Sequence, residues 1–119
     1  MRVILCVEDA PGNARLLQRI LGPSGHELRF CENGQEALEV IQREQPDLVL
    51  MDVQLPGEID GLEVVRRVRA VGIDVPIVAV TAHAMAGDRE RCLEAGCDDY
   101  LPKPVEVRRL LEIVRKFLG

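Results

Sequence analysis

Five short apolar segments rich in branched side chains, at residues 3–7, 26–31, 48–52, 77–81 and 99–101, begin roughly twenty to thirty residues apart along the 119-residue chain. The intervals between them carry apolar residues at helical spacing. Leu16, Leu17, Ile20 and Leu21 lie in the first interval, Ala37, Leu38 and Ile41 in the second, and Leu62, Val65 and Val68 in the third. The fourth is weaker, with Ala86, Cys92, Leu93 and Ala95. After the last segment, Val107, Leu110, Leu111, Val114 and Phe117 predict a buried stripe, with Arg108, Glu112 and Lys116 facing water. Gly22-Pro23-Ser24-Gly25, Gly72 and Gly96 stand where the first, third and fourth helices should stop. The first, third and fourth segments are almost unbroken apolar runs, as expected of central parallel strands buried on both faces. The fifth is shorter and more polar and suits an edge. The pattern predicts one α/β domain over residues 1–119, five parallel strands with helices on both faces.

Composition narrows the function. Fifteen basic residues against twenty acidic ones leave a net charge of −5, so no surface is expected that would neutralise a run of nucleic-acid phosphates. The longest apolar run, Val3–Val7, is too short to span a bilayer or to form a signal-peptide core. A soluble, cytoplasmic protein is expected. Cys6, Cys31, Cys92 and Cys97 form no Cys-x-x-Cys pair and have no histidine partners at zinc-ligand spacing, which points to reduced cysteines in the core.

Open parallel sheets bind ligands at the carboxyl ends of their strands, where the strand order reverses. Here the first strand ends in Glu8 and Asp9, the third in Asp52 and the fourth in Thr81, while Lys103 follows the fifth between two prolines. Each alone has an ordinary explanation: Asp52 as a turn residue, Thr81 as a helix cap, Lys103 as a solvated amine, Glu8 and Asp9 as a loop entering a helix. Together they bring carboxylates, a hydroxyl and an ammonium to one mouth. Crowded carboxylates raise one another's pKa, and a hard divalent cation relieves them. A cation on one side and an ammonium on the other leave a place between them for a transferring phosphoryl group.

Four stretches carry a resemblance: Val7-Glu8-Asp9-Ala10-Pro11-Gly12-Asn13, Leu50-Met51-Asp52-Val53-Gln54-Leu55-Pro56, Val80-Thr81-Ala82-His83-Ala84-Met85 and Ala95-Gly96-Cys97-Asp98-Asp99-Tyr100-Leu101-Pro102-Lys103-Pro104. The chain resembles the receiver domains of two-component response regulators, of the stand-alone or hybrid-kinase type, from residue 2 to about residue 118. The resemblance implies a flavodoxin-like (CheY-like) doubly wound five-stranded parallel sheet, order 2-1-3-4-5, with five helices. It implies Asp52 as phosphoacceptor, with Asp9, Asp52 and the Gln54 carbonyl holding Mg2+ (or Mn2+) and Glu8 binding it through water. It implies that Lys103 pairs with Asp52 and then with the phosphoryl group, and that Thr81 moves inward to bond it. Tyr100 would rotate into the vacated space and alter the surface of the fourth helix, fifth strand and fifth helix. A cis Lys103–Pro104 bond is implied as well. The partners implied are a histidine kinase or histidine phosphotransfer protein and a downstream protein effector, with no direct nucleic acid and no membrane. The implied state is a monomer or weak dimer.

Two features depart from the common pattern or stay open. The loop Pro56-Gly57-Glu58-Ile59-Asp60-Gly61 has one residue more than most relatives, and a local change beside the metal site is expected there. Gln54 and His83 each lie two residues beyond a motif residue, where the family tunes phosphate lifetime; His83 reads equally as a solvated loop residue. An aspartate-nucleophile phosphatase is the enzymatic alternative, but such enzymes carry an acid–base aspartate where this chain has Gln54. A non-phosphorylated adaptor is the other. The acceptor reading is self-phosphorylation and hydrolysis, not turnover.

Overall fold

The structure, a computed structural model, describes residues 2–82 and 86–119. His83 lies outside the described residues. Five strands, β1 (Val3–Val7), β2 (Glu27–Cys31), β3 (Leu48–Asp52), β4 (Ile77–Thr81) and β5 (Asp99–Pro102), alternate with α1 (Pro11–Leu21), α2 (Gly34–Glu44), α3 (Gly61–Ala70), α4 (Asp88–Ala95) and α5 (Val107–Leu118). All neighbouring strands pair in parallel, in the order β2-β1-β3-β4-β5. This is the doubly wound sheet the sequence implies. β3 and β4 are buried at every position, and β5 is an edge as expected.

Strand alternation divides the core between the two faces of the sheet. Leu5, Val7, Val49, Met51, Ile77 and Ala79 pack against α2, α3 and α4 through Ile41, Val65 and Cys92. Ile4, Cys6, Leu48, Leu50, Val78 and Val80 pack on the other side against α1 and α5, through Leu17, Leu21, Leu110 and Ile113. Because the helix after β1 and the helix after β3 cover opposite faces, the crossovers part between these two strands, and a crevice opens above their carboxyl ends. Asn33 and Asp60 cap α2 and α3, accepting from Glu36 N and Glu63 N at 2.8 and 2.9 Å.

Two helices differ from the sequence pattern. In α5 the buried face is Leu110, Ile113, Val114 and Leu118, with Phe117 half-buried, whereas Val107 and Leu111 are exposed. The helix is rolled so that Ile113 and Leu118 take the places expected of Val107 and Leu111. In α4 only Cys92 and Ala95 are buried; Ala86 precedes the helix and Leu93 is exposed. All four cysteines are buried and unpaired, and burial foremost pushes the thiols of Cys6, Cys31 and Cys97 up to about 12. They behave as small core residues with no thiolate to offer.

The longer β3–α3 loop is accommodated by Gly57, whose φ of 100° lies in the left-handed region, and by Ile59, which folds back into the core. At its far end Gly61 packs directly on the Asp52 carbonyl and Val53 Cα, leaving no room for a Cβ. Gly61→Ala should therefore push on the backbone at the end of β3 and destabilise the fold by about 1–3 kcal/mol, read as a lower urea midpoint. An unchanged midpoint would show that the loop yields freely there.

Candidate functional site

The parallel register carries the strand-end residues to one place. Val7 pairs with Met51, which sets Glu8 beside Asp52. Glu8 N donates to Cys31 O at 2.9 Å and Val53 N to Val80 O at 3.0 Å, so both strands remain tied to their neighbours just past the site. Lys103 N donates to Thr81 O at 2.7 Å, which anchors the lysine backbone to the end of β4. The Lys103–Pro104 peptide that follows is cis, as the resemblance implies.

From that anchor the Lys103 ammonium reaches across the mouth. Its Nζ lies 3.1 Å from Glu8 Oε1 and 3.1 Å from Asp52 Oδ2. Glu8 and Asp52 are each only 4% exposed, so this is a charged cluster withdrawn from water. Ligand oxygens of Glu8, Asp9 and Asp52 all lie within 4.8 Å of one another, and Asp9 is the exposed member. Gln54 N donates to Asp52 Oδ1 at 3.0 Å, which orients the carboxylate. Thr81 is buried at the end of β4 and lines a cleft of about 540 Å³ with Gln54, Asp88 and Cys92. Tyr100 is half-buried on β5, opposite Ala79, and leans on the α4 side of the core.

Electrostatics follow from the crowding. Burial, then a hydrogen bond shared with Glu8, pushes the Asp52 carboxyl up to about 6, against the opposing pull of Gln54 N and Lys103. Desolvation lowers the Lys103 pKa, but its contacts with Glu8 and Asp52 outweigh that and raise it, so the ammonium stays charged. One ammonium thus serves two buried carboxyls with a third beside them. The donor set is all oxygen, and a hard divalent cation fits it.

Some features were not legible in the sequence. Asp99 lies buried at the start of β5, with Lys116 Nζ at 3.1 Å and Arg109 at 3.6 Å. Burial raises its pKa, yet the Tyr100 N–H and Lys116 outweigh it and hold the carboxyl below its usual range. Arg69 at the end of α3 donates to Gly96 O, Ile73 O and Asp98 Oδ2 at 2.9, 3.0 and 2.9 Å, tying the carboxyl-terminal end of α4 to the sheet. An Asp-Asp pair before a tyrosine hints at neither partner.

Comparison with known proteins agrees with the fold and shows the family. The family model for the response regulator receiver domain matches residues 4–115. The chain belongs to the response regulator receiver domain family and is a receiver domain of two-component signalling. It is 41% identical over 118 residues to the polar-differentiation response regulator DivK of Brucella anthropi, covering 98% of this chain and 95% of that one. It is 44% identical over 121 residues to the sensor protein GacS of Pseudomonas syringae pv. syringae, covering 98% of this chain but 13% of GacS. A receiver domain of a sensor histidine kinase from Pseudomonas aeruginosa PAO1, with magnesium coordinated in its active-site cleft, superposes with a TM-score of 0.90 at 38% identity, covering 99% and 98% of the two chains. A receiver domain from Saccharomyces cerevisiae, in complex with a histidine phosphotransfer protein, superposes at 0.90 with 30% identity, covering 98% and 88%.

The raised Asp52 pKa has a direct consequence for stability. Its protonated form is favoured in the folded metal-free protein, so this group's contribution is most favourable below the ordinary value of 3.8 and is lost as pH rises through about 6. In metal-free buffer Asp52→Asn should therefore melt higher than the wild type at pH 8, with the difference fading as pH falls towards 4. Added Mg2+ should raise the wild-type melting temperature at pH 8 and lose that effect below about pH 6. A wild type more stable than Asp52→Asn at pH 8 without metal would contradict the raised pKa of this carboxyl.

Proposed function

We propose that residues 1–119 act as one phosphoryl-accepting domain in which Asp52 is the acceptor. The observation that carries this reading is the Lys103 ammonium held 3.1 Å from both Glu8 and Asp52 beside Asp9. Asp9, Asp52 and the Gln54 carbonyl would hold Mg2+, or Mn2+ in its place, with Glu8 beside them as a further carboxylate. When bound, the metal neutralises developing charge on the phosphoryl oxygens and polarises the phosphorus.

The residues of the chain do the rest. A carboxylate oxygen of Asp52, oriented by the Gln54 N–H, attacks phosphorus as the P–N bond of a phosphohistidine breaks, and the imidazole leaves and takes up a proton. Lys103 gives up its contact with Asp52 and pairs with a phosphoryl oxygen, stabilising the charge spread over the transferring group. Thr81 moves in to donate its hydroxyl to another phosphoryl oxygen. Tyr100 then turns inward beside α4, and the surface of α4, β5 and α5 changes shape. The acyl phosphate later hydrolyses, so the domain is a self-modifying switch rather than a turnover enzyme.

The phosphoryl donor is a histidine kinase or histidine phosphotransfer protein, and the output is a downstream protein effector. Support comes from the phosphotransfer complex of the yeast receiver and from the kinase-linked relatives. Net charge −5 disfavours direct nucleic-acid contact, and among the described residues no helix is long and apolar enough to cross a membrane. A cytoplasmic monomer or weak dimer is the state proposed.

Intact mass after incubation with acetyl phosphate tests this reading. The wild type should gain one phosphoryl group with Mg2+ and none without it, and Asp52→Ala should gain none. Lys103→Ala should slow the gain by on the order of a hundredfold, as expected when a charge is removed from the transition state. A phosphoryl group retained in folded Asp52→Ala would overturn the assignment.

A further inference from the structure

Among the described residues, one buried side-chain polar atom lacks a hydrogen-bond partner: Asp88 Oδ2, in the first turn of α4. Its sister oxygen is taken, with Arg91 Nη1 3.3 Å from Oδ1 on the more exposed side. Buried acceptors are almost always satisfied, because removal from water without a replacement bond is costly. Such an orphan in a switching domain suggests a partner that arrives in the other state.

A matching donor stands on β5, the strand that packs beside α4. Tyr100 donates its backbone N–H to Asp99 Oδ1, but its hydroxyl bonds to no described residue. The ring leans on the same core cluster as Cys92, one helical turn beyond Asp88. Burial first, then the charges of Asp88 and Cys92, raise the Tyr100 pKa, which places the phenol within the field of the Asp88 carboxylate. The cleft that Thr81, Asp88 and Cys92 line is about 540 Å³. A cavity of roughly 150 Å³ already admits a benzene-sized ring, so room is not limiting.

We propose that Asp88 is the docking point of Tyr100 in the phosphorylated state: once Thr81 moves towards the phosphoryl group, the Tyr100 ring enters the space beside α4 and its hydroxyl donates to Asp88 Oδ2. The inference rests on the switch roles of Thr81 and Tyr100 proposed above. It adds an acceptor that is unsatisfied in one state and satisfied in the other. Such a bond shifts the equilibrium by its full differential value, because it does not exist in the resting state. Arg91 holds the carboxylate by its other oxygen, so the acceptor is in place before the ring arrives. Asp88 is therefore a positioning residue for the switch and has no part in the phosphoryl chemistry.

The chain has one tyrosine and no tryptophan, so tyrosine emission reports Tyr100 alone. A phenol hydrogen-bonded to a carboxylate is quenched. The experiment adds Mg2+ and beryllofluoride, a stand-in for the phosphoryl group, to the wild type, Asp88→Asn, Asp88→Ala, Tyr100→Phe and the Asp88→Ala/Tyr100→Phe double variant. Wild-type emission should fall on binding, and Asp88→Ala should show no fall. Asp88→Ala and Tyr100→Phe should each bind beryllofluoride roughly tenfold more weakly, and the double variant no more weakly than either. Asp88→Asn, which keeps shape and an acceptor oxygen, should retain most of the affinity and lose most of the quench, so the test does not depend on Asp88→Ala folding. Beryllofluoride binding with unchanged emission, or losses that simply add, would overturn the Asp88 contact and leave the phosphoacceptor reading standing. A wild type that neither binds beryllofluoride nor takes up a phosphoryl group would remove that reading and the contact with it.

Discussion

The arrangement on which the rest depends is the burial of two carboxyls, Glu8 and Asp52, side by side at the ends of adjacent parallel strands, bridged by one ammonium from a third. Water would solvate such a pair at little cost; a sheet mouth does not. The protein offsets the cost in three ways. Lys103 supplies a positive charge, burial and then a hydrogen bond between the two carboxyls lift the Asp52 pKa to about 6 so that a proton can be shared there, and Gln54 N fixes one Asp52 oxygen. None of these neutralises the whole cluster, because Asp9 adds a third carboxylate within ligand distance. The site is therefore built to gain from an added cation, and the charge balance that holds it can be upset by an added phosphoryl group.

In the proposed switch, rigidity is what would carry that local upset to the surface. Asp52, Thr81 and Lys103 are linked through the sheet itself, since Val53 N bonds to Val80 O and Lys103 N to Thr81 O. β3 and β4 are fully buried and cannot relax sideways. α4 is held unevenly. Its carboxyl-terminal end is stapled by Arg69, whereas its amino-terminal turn borders the cleft and carries a carboxylate oxygen with no partner. In the proposed switch a change at Thr81 reaches that turn first, and β5 with Tyr100 runs beside it.

The fold and much of the site could be read in the sequence because fully buried parallel strands are written as unbroken branched apolar runs. β1, β3 and β4 have no polar face to blur them, and the residues that end them are the residues of the site. The sequence was less informative where several stripes overlap. Helical spacing in α5 fits Val107 and Leu111 as well as Ile113 and Leu118, and only packing into the core on the sheet face of Leu48 and Val78 selects the second set. In α4 two buried residues on a short helix leave little periodicity to find. The pairs Asp99–Lys116 and Arg69–Asp98 join residues 17 and 29 apart, so no local pattern announces them. The orphan oxygen of Asp88 is harder still, since an unsatisfied atom is defined by its surroundings. The extra loop residue showed in the sequence as a departure from the family pattern; that Ile59 would fold into the core did not.

The most direct test of the account is a crystal structure of the protein soaked in Mn2+ and measured for anomalous scattering. One strong peak is expected at the mouth of β1 and β3, within ligand distance of Asp9, Asp52 and the Gln54 carbonyl, with Lys103 still paired to Asp52 on the other side. No peak there at saturating Mn2+, or a peak elsewhere with the Glu8–Asp52–Lys103 cluster unchanged, would mean that the lysine alone satisfies the buried carboxyls and that the site has no place for a metal.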